Sequence, residues 1–354
     1  MRADTARAAA ADWVRRHAGG DDSFRGAYFS GSTVGLPPGA EVPLGSDVDV
    51  MVVTEDPEPP GKPGKFRHRG ALLEVTLVPW DQLADPERVL SSYHVAGPFR
   101  TDTIIADPRG DLRRLHETVA RRFAEPRWVR RRRDEAYARA ENGLRAVAAT
   151  TEGATPWPGT VLSWLFPAGV TTHVLLVAGL RNPTVRLRYL AARDLLAEHG
   201  MLARYEELLR LLGCDQLDAG RAEHHLTELA RTFDAAAAVA VTPFPFGSDI
   251  TPAARPIAID ASLEHIRAGR HREVVFWLAA TFARCHLILA ADAPEPQVRE
   301  LTPPFAAFLA DLGITSPDDL RDRARACLAH LPAVLETSEE ILQAATSAPA
   351  EAPT

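Results

Sequence analysis

The sequence predicts an α+β protein of two domains: strands mixed with helices over residues 1–125, then an all-α bundle over residues 126–345. Three observations carry this. Short β-branched runs alternate with helical stretches up to about residue 125, as in an α/β or α+β domain. After Pro126, apolar residues recur at helical spacing with almost no convincing strand. The length, 354 residues, exceeds what one hydrophobic core usually organises.

The elements follow in order. Residues 3–18 read as a helix closed by Gly19-Gly20. "RGAYFSGS" (25–32) is a strand running into a glycine turn. "DVDVMVVT" (47–54) is a β-branched strand ended by the breaker cluster "EDPEPPGKPGK". "ALLEVTLVPW" (71–80) is a third strand and "TDTIIAD" (101–107) a fourth. Between them "DQLADPERVLSSY" (81–93) is helical, with Asp81 as its cap, and "DLRRLHETVARRF" (111–123) is a further helix. Helical spacing then covers 130–149, 160–180, 184–198, 201–212, 218–240, 260–292, 304–311 and 317–344. "TPFPFGSDITPAARP" (242–256) reads as a Pro-rich loop between helices, and residues 346–354 as a disordered tail.

Composition narrows the function classes. The chain is 46% hydrophobic and 25% charged, with a net charge of −7. Binding dominated by nucleic-acid phosphates favours a basic chain, so nucleic acid is not the expected partner. Basic residues are almost all arginine; the two lysines are Lys62 and Lys65. Three dispersed cysteines form no CxxC pair and no disulfide framework. The N-terminal alanine run lacks the apolar core of a signal peptide, and no stretch approaches roughly 18 uninterrupted apolar residues. A cytoplasmic protein without a membrane partner is expected.

One stretch stands out. Residues 31–50, "GSTVGLPPGAEVPLGSDVDV", end in two aspartates that alternate with valines. Side chains two apart on a strand share a face, so Asp47 and Asp49 project together while Val48, Val50 and Val52 face the other way. Adjacent carboxylates repel unless one is protonated or a cation lies between them. A divalent ion with hard oxygen ligands, Mg²⁺ above all, is the simplest compensation. Glu74 sits alone among apolar neighbours in the third strand and completes a three-carboxylate set if the strands are adjacent. Such sets suit two ions that clamp the oxygens of an in-line phosphoryl transfer. Upstream, Gly31 lets backbone amides approach a phosphate, and Ser32 adds a hydroxyl donor.

An apolar strand, Gly-Ser, a loop, Asp-x-Asp and a later acidic strand ("FSGS…SDVDV…LLEVTL") resemble the DNA polymerase β-like nucleotidyltransferase superfamily. Within it the layout is similar to kanamycin and lincosamide nucleotidyltransferases and to bacterial minimal nucleotidyltransferases. "IIADPRGDLRRL" resembles the strand, turn and helix that close their catalytic domain. The resemblance covers roughly residues 10–125. It implies a mixed sheet with flanking helices, Asp47, Asp49 and Glu74 as catalytic Mg²⁺ ligands, and Gly31 and Ser32 at the nucleotide phosphates. The implied reaction moves a nucleoside monophosphate from an NTP to a hydroxyl of a small molecule, aminoglycoside-like or otherwise polyhydroxylated, and releases pyrophosphate. One departure is the separation of Ser32 from Asp47, fourteen residues, longer than the family's usual loop.

Other segments have bland readings beside functional ones. The bland reading of the acids has Asp47 and Asp49 cap an exposed strand, with Glu74 turned to solvent. "GKPGKFRHRG" (61–70) is either a basic hairpin near a triphosphate or a solvated turn, and the turn is preferred. In such relatives an acid of the helical domain acts as general base; Glu135 and Glu141 are candidates here, each also an ordinary salt-bridging residue. Arg181, Arg186 and Arg188 are candidates for holding phosphate, or members of an amphipathic helix. "EHH" (223–225) lacks the HExxH spacing and reads as a surface helix; "FGSD" (246–249) echoes the opening motif without a strand after it and is set aside. Two rivals keep parts of the picture: a protein-modifying (AMPylating) nucleotidyltransferase of the antitoxin type, and a non-catalytic nucleotide-binding protein. A homodimer stays open.

Overall fold

The alternation of the first 125 residues takes shape as a five-stranded sheet in a computed structural model, which describes residues 1–59, 63–150 and 155–347. Two compact units divide the chain: Met1–Trp128 with Pro245–Ala261, and Val129–Phe244 with Ser262–Thr354. The chain is thus α+β, a mixed sheet first and mostly helix afterwards.

In the first unit, α1 (Ala3–His17) precedes β1 (Phe24–Ser30), β2 (Val48–Thr54), β3 (Gly64–His68) and β4 (Ala71–Pro79). Then come α2 (Pro86–Ser91), β5 (Ile104–Ala106) and α3 (Asp111–Arg122). The sheet order is β3-β4-β2-β1-β5, with β2 and β4 parallel and the other neighbours antiparallel. Val48, Val50 and Val52 join Leu73, Val75 and the Ala6, Ala9, Ala10 and Val14 face of α1 in one buried cluster. The small alanines let the helix lie close on the β-branched side chains. The strand period of two then forces Asp49 and Glu74 onto the opposite face.

The long segment 33–46 has a structural role. Free amides at the start of α1 donate to its carbonyls: Ala3 N–H to Ala40 at 2.8 Å and Asp4 N–H to Pro38 at 2.9 Å. Helix starts leave such donors without internal partners. Arg7 Nη2 donates to the carbonyls of Thr33, Val34 and Leu36 at 2.6, 3.1 and 2.9 Å. The loop is a cap and a strap for the helix that covers the sheet.

Two local expectations are corrected in this unit. β3 was read as a turn; Lys65, Arg67 and His68 hide its strand character, yet it pairs in full with β4 through an Arg69-Gly70 turn. Both turn residues have positive φ (48° and 84°), as a two-residue hairpin requires. The cap of α2 is Asp85, which accepts from the Glu87 amide at 2.9 Å with Pro86 at the first helical position; Asp81 lies in a separate 3-10 turn.

The second unit holds most of α4 (Pro126–Ala149), then α5 (Trp157–Ala178), α6 (Arg188–Glu198), α7 (Leu202–Leu212) and α8 (Ala219–Val239). It continues with α9 (Ala261–Arg267), α10 (Val275–Asp292), α11 (Glu295–Asp311) and α12 (Pro317–Ser347). α5 packs on α12, α10 and α6, and α10 on α8. By length and mean hydropathy α5 and α10 are apolar enough to cross a membrane, although polar residues interrupt both, and 78% and 67% of their apolar windows are buried inside the protein. Burial of most of their surface explains their weak amphipathic pattern. The stretch 260–292 is two helices, broken where Gly269 takes φ +76° and Arg270 N–H turns back to the His265 carbonyl. α11 starts at Glu295, upstream of Pro303-Pro304, which it accommodates within the helix. His225 of "EHH" is buried rather than superficial, its ring 2.7 Å from Asp311. α12 reaches Ser347, so residues 346 and 347 are helical; the rest of the expected tail, 348–354, and Lys62 lie outside the described residues.

Candidate metal centre

The register of the sheet sets one polar row. Ser30 of β1 pairs with Asp49 of β2, Asp49 with Glu74 of β4, and Glu74 with Lys65 of β3. Residues paired across neighbouring strands point to the same face. Asp47 stands just before β2, two residues from Asp49. One carboxylate oxygen each from Asp47, Asp49 and Glu74 lies within 4.8 Å of the other two. The three acids singled out from the sequence are therefore neighbours, and the parallel pairing of β2 and β4 makes them so.

Gly31 follows the end of β1 with φ +71°. A Cβ at this position would overlap the Asp49 carboxylate. The glycine is needed for the left-handed turn and for the close approach of the acid. Ser32 is exposed, its hydroxyl 3.3 Å from that of Ser46, so the two ends of the long loop meet beside Asp47.

Two further residues join the site, and the sequence reading gives both a bland role, Lys65 in a solvated turn and Asp249 in a loop set aside. The Lys65 ammonium is 3.1 Å from Asp47 Oδ2 and 2.6 Å from Asp249 Oδ1, and it also bonds Glu74 Oε2. Its side chain is only 9% exposed. Asp249 belongs to "FGSD", the segment set aside as an echo. The 245–261 stretch returns to the first unit, and a 3-10 turn at Gly247–Asp249 packs on β3. Gly64 (φ +76°) makes room for it, since a Cβ there would overlap the side chain of Ser248. One sequence signal pointed to Lys65: it is one of two lysines in an arginine-rich chain, beside an apolar strand position. No local signal marks Asp249, which lies 184 residues from its partner.

The electrostatics follow from burial and crowding. Burial pushes the Asp47 carboxyl above its ordinary value; Lys65 opposes the shift and Glu74 adds to it. Burial works against the Lys65 charge, but the carboxylates of Asp47, Asp249 and Glu74 outweigh it and hold the ammonium firmly protonated. Lys65 thus bridges three acids, Asp47, Glu74 and Asp249, two of which belong to the clustered carboxylate set.

The other candidates have structural partners. Glu141 pairs with Arg145 at 2.6 Å, and Glu135 is an exposed residue of α4. Arg181 pairs with Glu198, and Arg188 is buried with its guanidinium 4.0 Å from the Phe276 ring centre. Neither of these two is placed as a free phosphate ligand. No protein-family model matches the chain, and no curated protein matches it.

Proposed function

We propose that the chain is a divalent-metal-dependent nucleotidyltransferase of the polymerase β-like kind. It would transfer a nucleoside monophosphate from an NTP to a hydroxyl of a small polyhydroxylated acceptor and release pyrophosphate. The observation that carries this reading is the convergence of Asp47, Asp49 and Glu74 within 4.8 Å, beside a left-handed Gly31-Ser32 turn. A strand core has no use for three carboxylates on one face unless cations join them.

The donor set fits Mg²⁺, which takes hard carboxylate oxygens and shares its remaining positions with phosphates and water. Bound there, two Mg²⁺ ions would neutralise phosphate charge and lower the pKa of the acceptor hydroxyl. Asp47, Asp49 and Glu74 would hold the ions, with β2 and β4 fixing their spacing. The Gly31 turn would present backbone amide to the phosphates, and the exposed Ser32 hydroxyl would donate beside it. Catalysis of this kind is mostly positioning and charge neutralisation, so rigid strands are a suitable mount.

The test is pyrophosphate release from each NTP with a panel of polyhydroxylated acceptors, with and without Mg²⁺, alongside calorimetry of NTP binding. Mg²⁺-dependent turnover that Asp49→Asn lowers at least about a hundredfold is the expected result. Unchanged turnover in Asp49→Asn would sink the metal reading. NTP binding without turnover on any acceptor would favour the non-catalytic rival, and a mass shift on a co-expressed protein the AMPylating one.

A further inference from the structure

Lys65 is the feature the proposed reaction does not absorb. Its ammonium is held by two of the three acids that would bind metal, Asp47 and Glu74, and by a fourth acid, Asp249, outside that set. It is buried on an edge strand, and Gly64 immediately before it takes a left-handed conformation shaped to the Ser248–Asp249 turn. The arrangement is built from two distant parts of the chain. A primary ammonium carries one charge on a flexible four-carbon stem, so it can leave one set of oxygens for another at little steric cost.

We propose that Lys65 is an internal counter-ion that competes with divalent metal for Asp47 and Glu74, and that Asp249 is the anchor on which it is retained when metal enters. This rests on the metal reading of the cluster. The same oxygens cannot give close coordination to a divalent ion and strong hydrogen bonds to the ammonium at once. Loading metal therefore requires Lys65 to withdraw from Asp47 and Glu74. Asp249 keeps the displaced charge beside the site, where it also faces the phosphates that enter with metal. The lysine thereby sets a threshold for metal, in keeping with a site loaded by metal and nucleotide together.

The experiment uses Mn²⁺ alone as the probe, followed by electron paramagnetic resonance of the free ion. Lys65→Met should bind Mn²⁺ about tenfold or more tightly than the wild-type chain, because a like charge a few ångströms from the ion is removed. Equal affinity in the two proteins would overturn the inference while leaving the metal reading intact. No Mn²⁺ binding in either protein, or binding that persists in Asp49→Asn, would overturn both. A second measurement guards against misfolding of Lys65→Met. Acetic anhydride labelling of the wild-type chain, read by mass spectrometry of its peptides, separates Lys65 from Lys62 and from the α-amine. Saturating Mg²⁺ should raise the labelling rate of Lys65 severalfold relative to EDTA. Labelling of Lys65 that Mg²⁺ leaves unchanged would overturn the proposal by itself.

Discussion

Gly31→Ala tests the link between backbone conformation and carboxylate placement. Gly31 has φ +71°, and an alanine Cβ would overlap the Asp49 carboxylate. The left-handed conformation alone costs about 1–2 kcal/mol for a residue with a Cβ. The overlap adds about 1–3 kcal/mol, the usual cost of forcing extra volume into a packed place. A total of roughly 2–5 kcal/mol lowers the melting midpoint of a unit this size by about 5–15 °C. Gly35→Ala is the control: it lies in the same loop, has an ordinary φ, and its Cβ would meet nothing within 4 Å. Scanning calorimetry of the two variants measures the difference, and Mn²⁺ titration measures the site. The Asp49 carboxylate must turn away in Gly31→Ala, so Mn²⁺ affinity should fall about tenfold beyond any effect in Gly35→Ala. Gly31→Ala that melts with Gly35→Ala and binds Mn²⁺ normally would refute the reasoning. A melting loss with unchanged Mn²⁺ binding would refute the part that ties Gly31 to Asp49.

Three more outcomes are expected. Glu339 of α12 accepts from Arg130 and Arg133 of α4 at 2.6 Å each, and the Arg130 hydrogen bond, helped by Arg133 and opposed by burial, holds its carboxyl down at about 2. Its folded pKa lies below the unfolded value, so the stabilisation is complete above about pH 4.5 and is lost as pH falls through about 2. Glu339→Gln should be less stable near pH 7 by about 1 kcal/mol, a figure reduced for solvent contact, with the gap closing near pH 2 in urea melts. Gly143→Val should destabilise the helical unit by about 1–3 kcal/mol, because any Cβ there meets the rigid Pro167 ring of α5; urea denaturation checks this. Arg7→Met should remove the guanidinium donor shared by three loop carbonyls and cost about 1–3 kcal/mol, seen as faster proteolysis within residues 33–46.

The sequence by itself determined the local half of this protein. Alternating valines around Asp49 and leucines around Glu74 specify strands with one apolar face, because side chains on a strand change sides at every residue. The same rule put the two strand acids on the other face, which is why Asp47, Asp49 and Glu74 were legible as a group. Helical spacing marked the second half, α5 and α10 included, although these two are mostly buried and their amphipathic pattern is weak. The tertiary structure decided the rest. Whether β2 and β4 are neighbours depends on strand order, which no local pattern encodes, and their parallel register brings Asp49 beside Glu74. β3 was hidden because an edge strand tolerates charge on its solvent side, so its sequence reads as a turn. Lys65 acquires its meaning only from the acids around it. Asp249 arrives from 184 residues away, in a segment whose composition says loop and whose position makes it the fourth acid of the site. Periodicity acts over a few residues, whereas the charge balance of a buried site is set by whatever the chain folds back to place there.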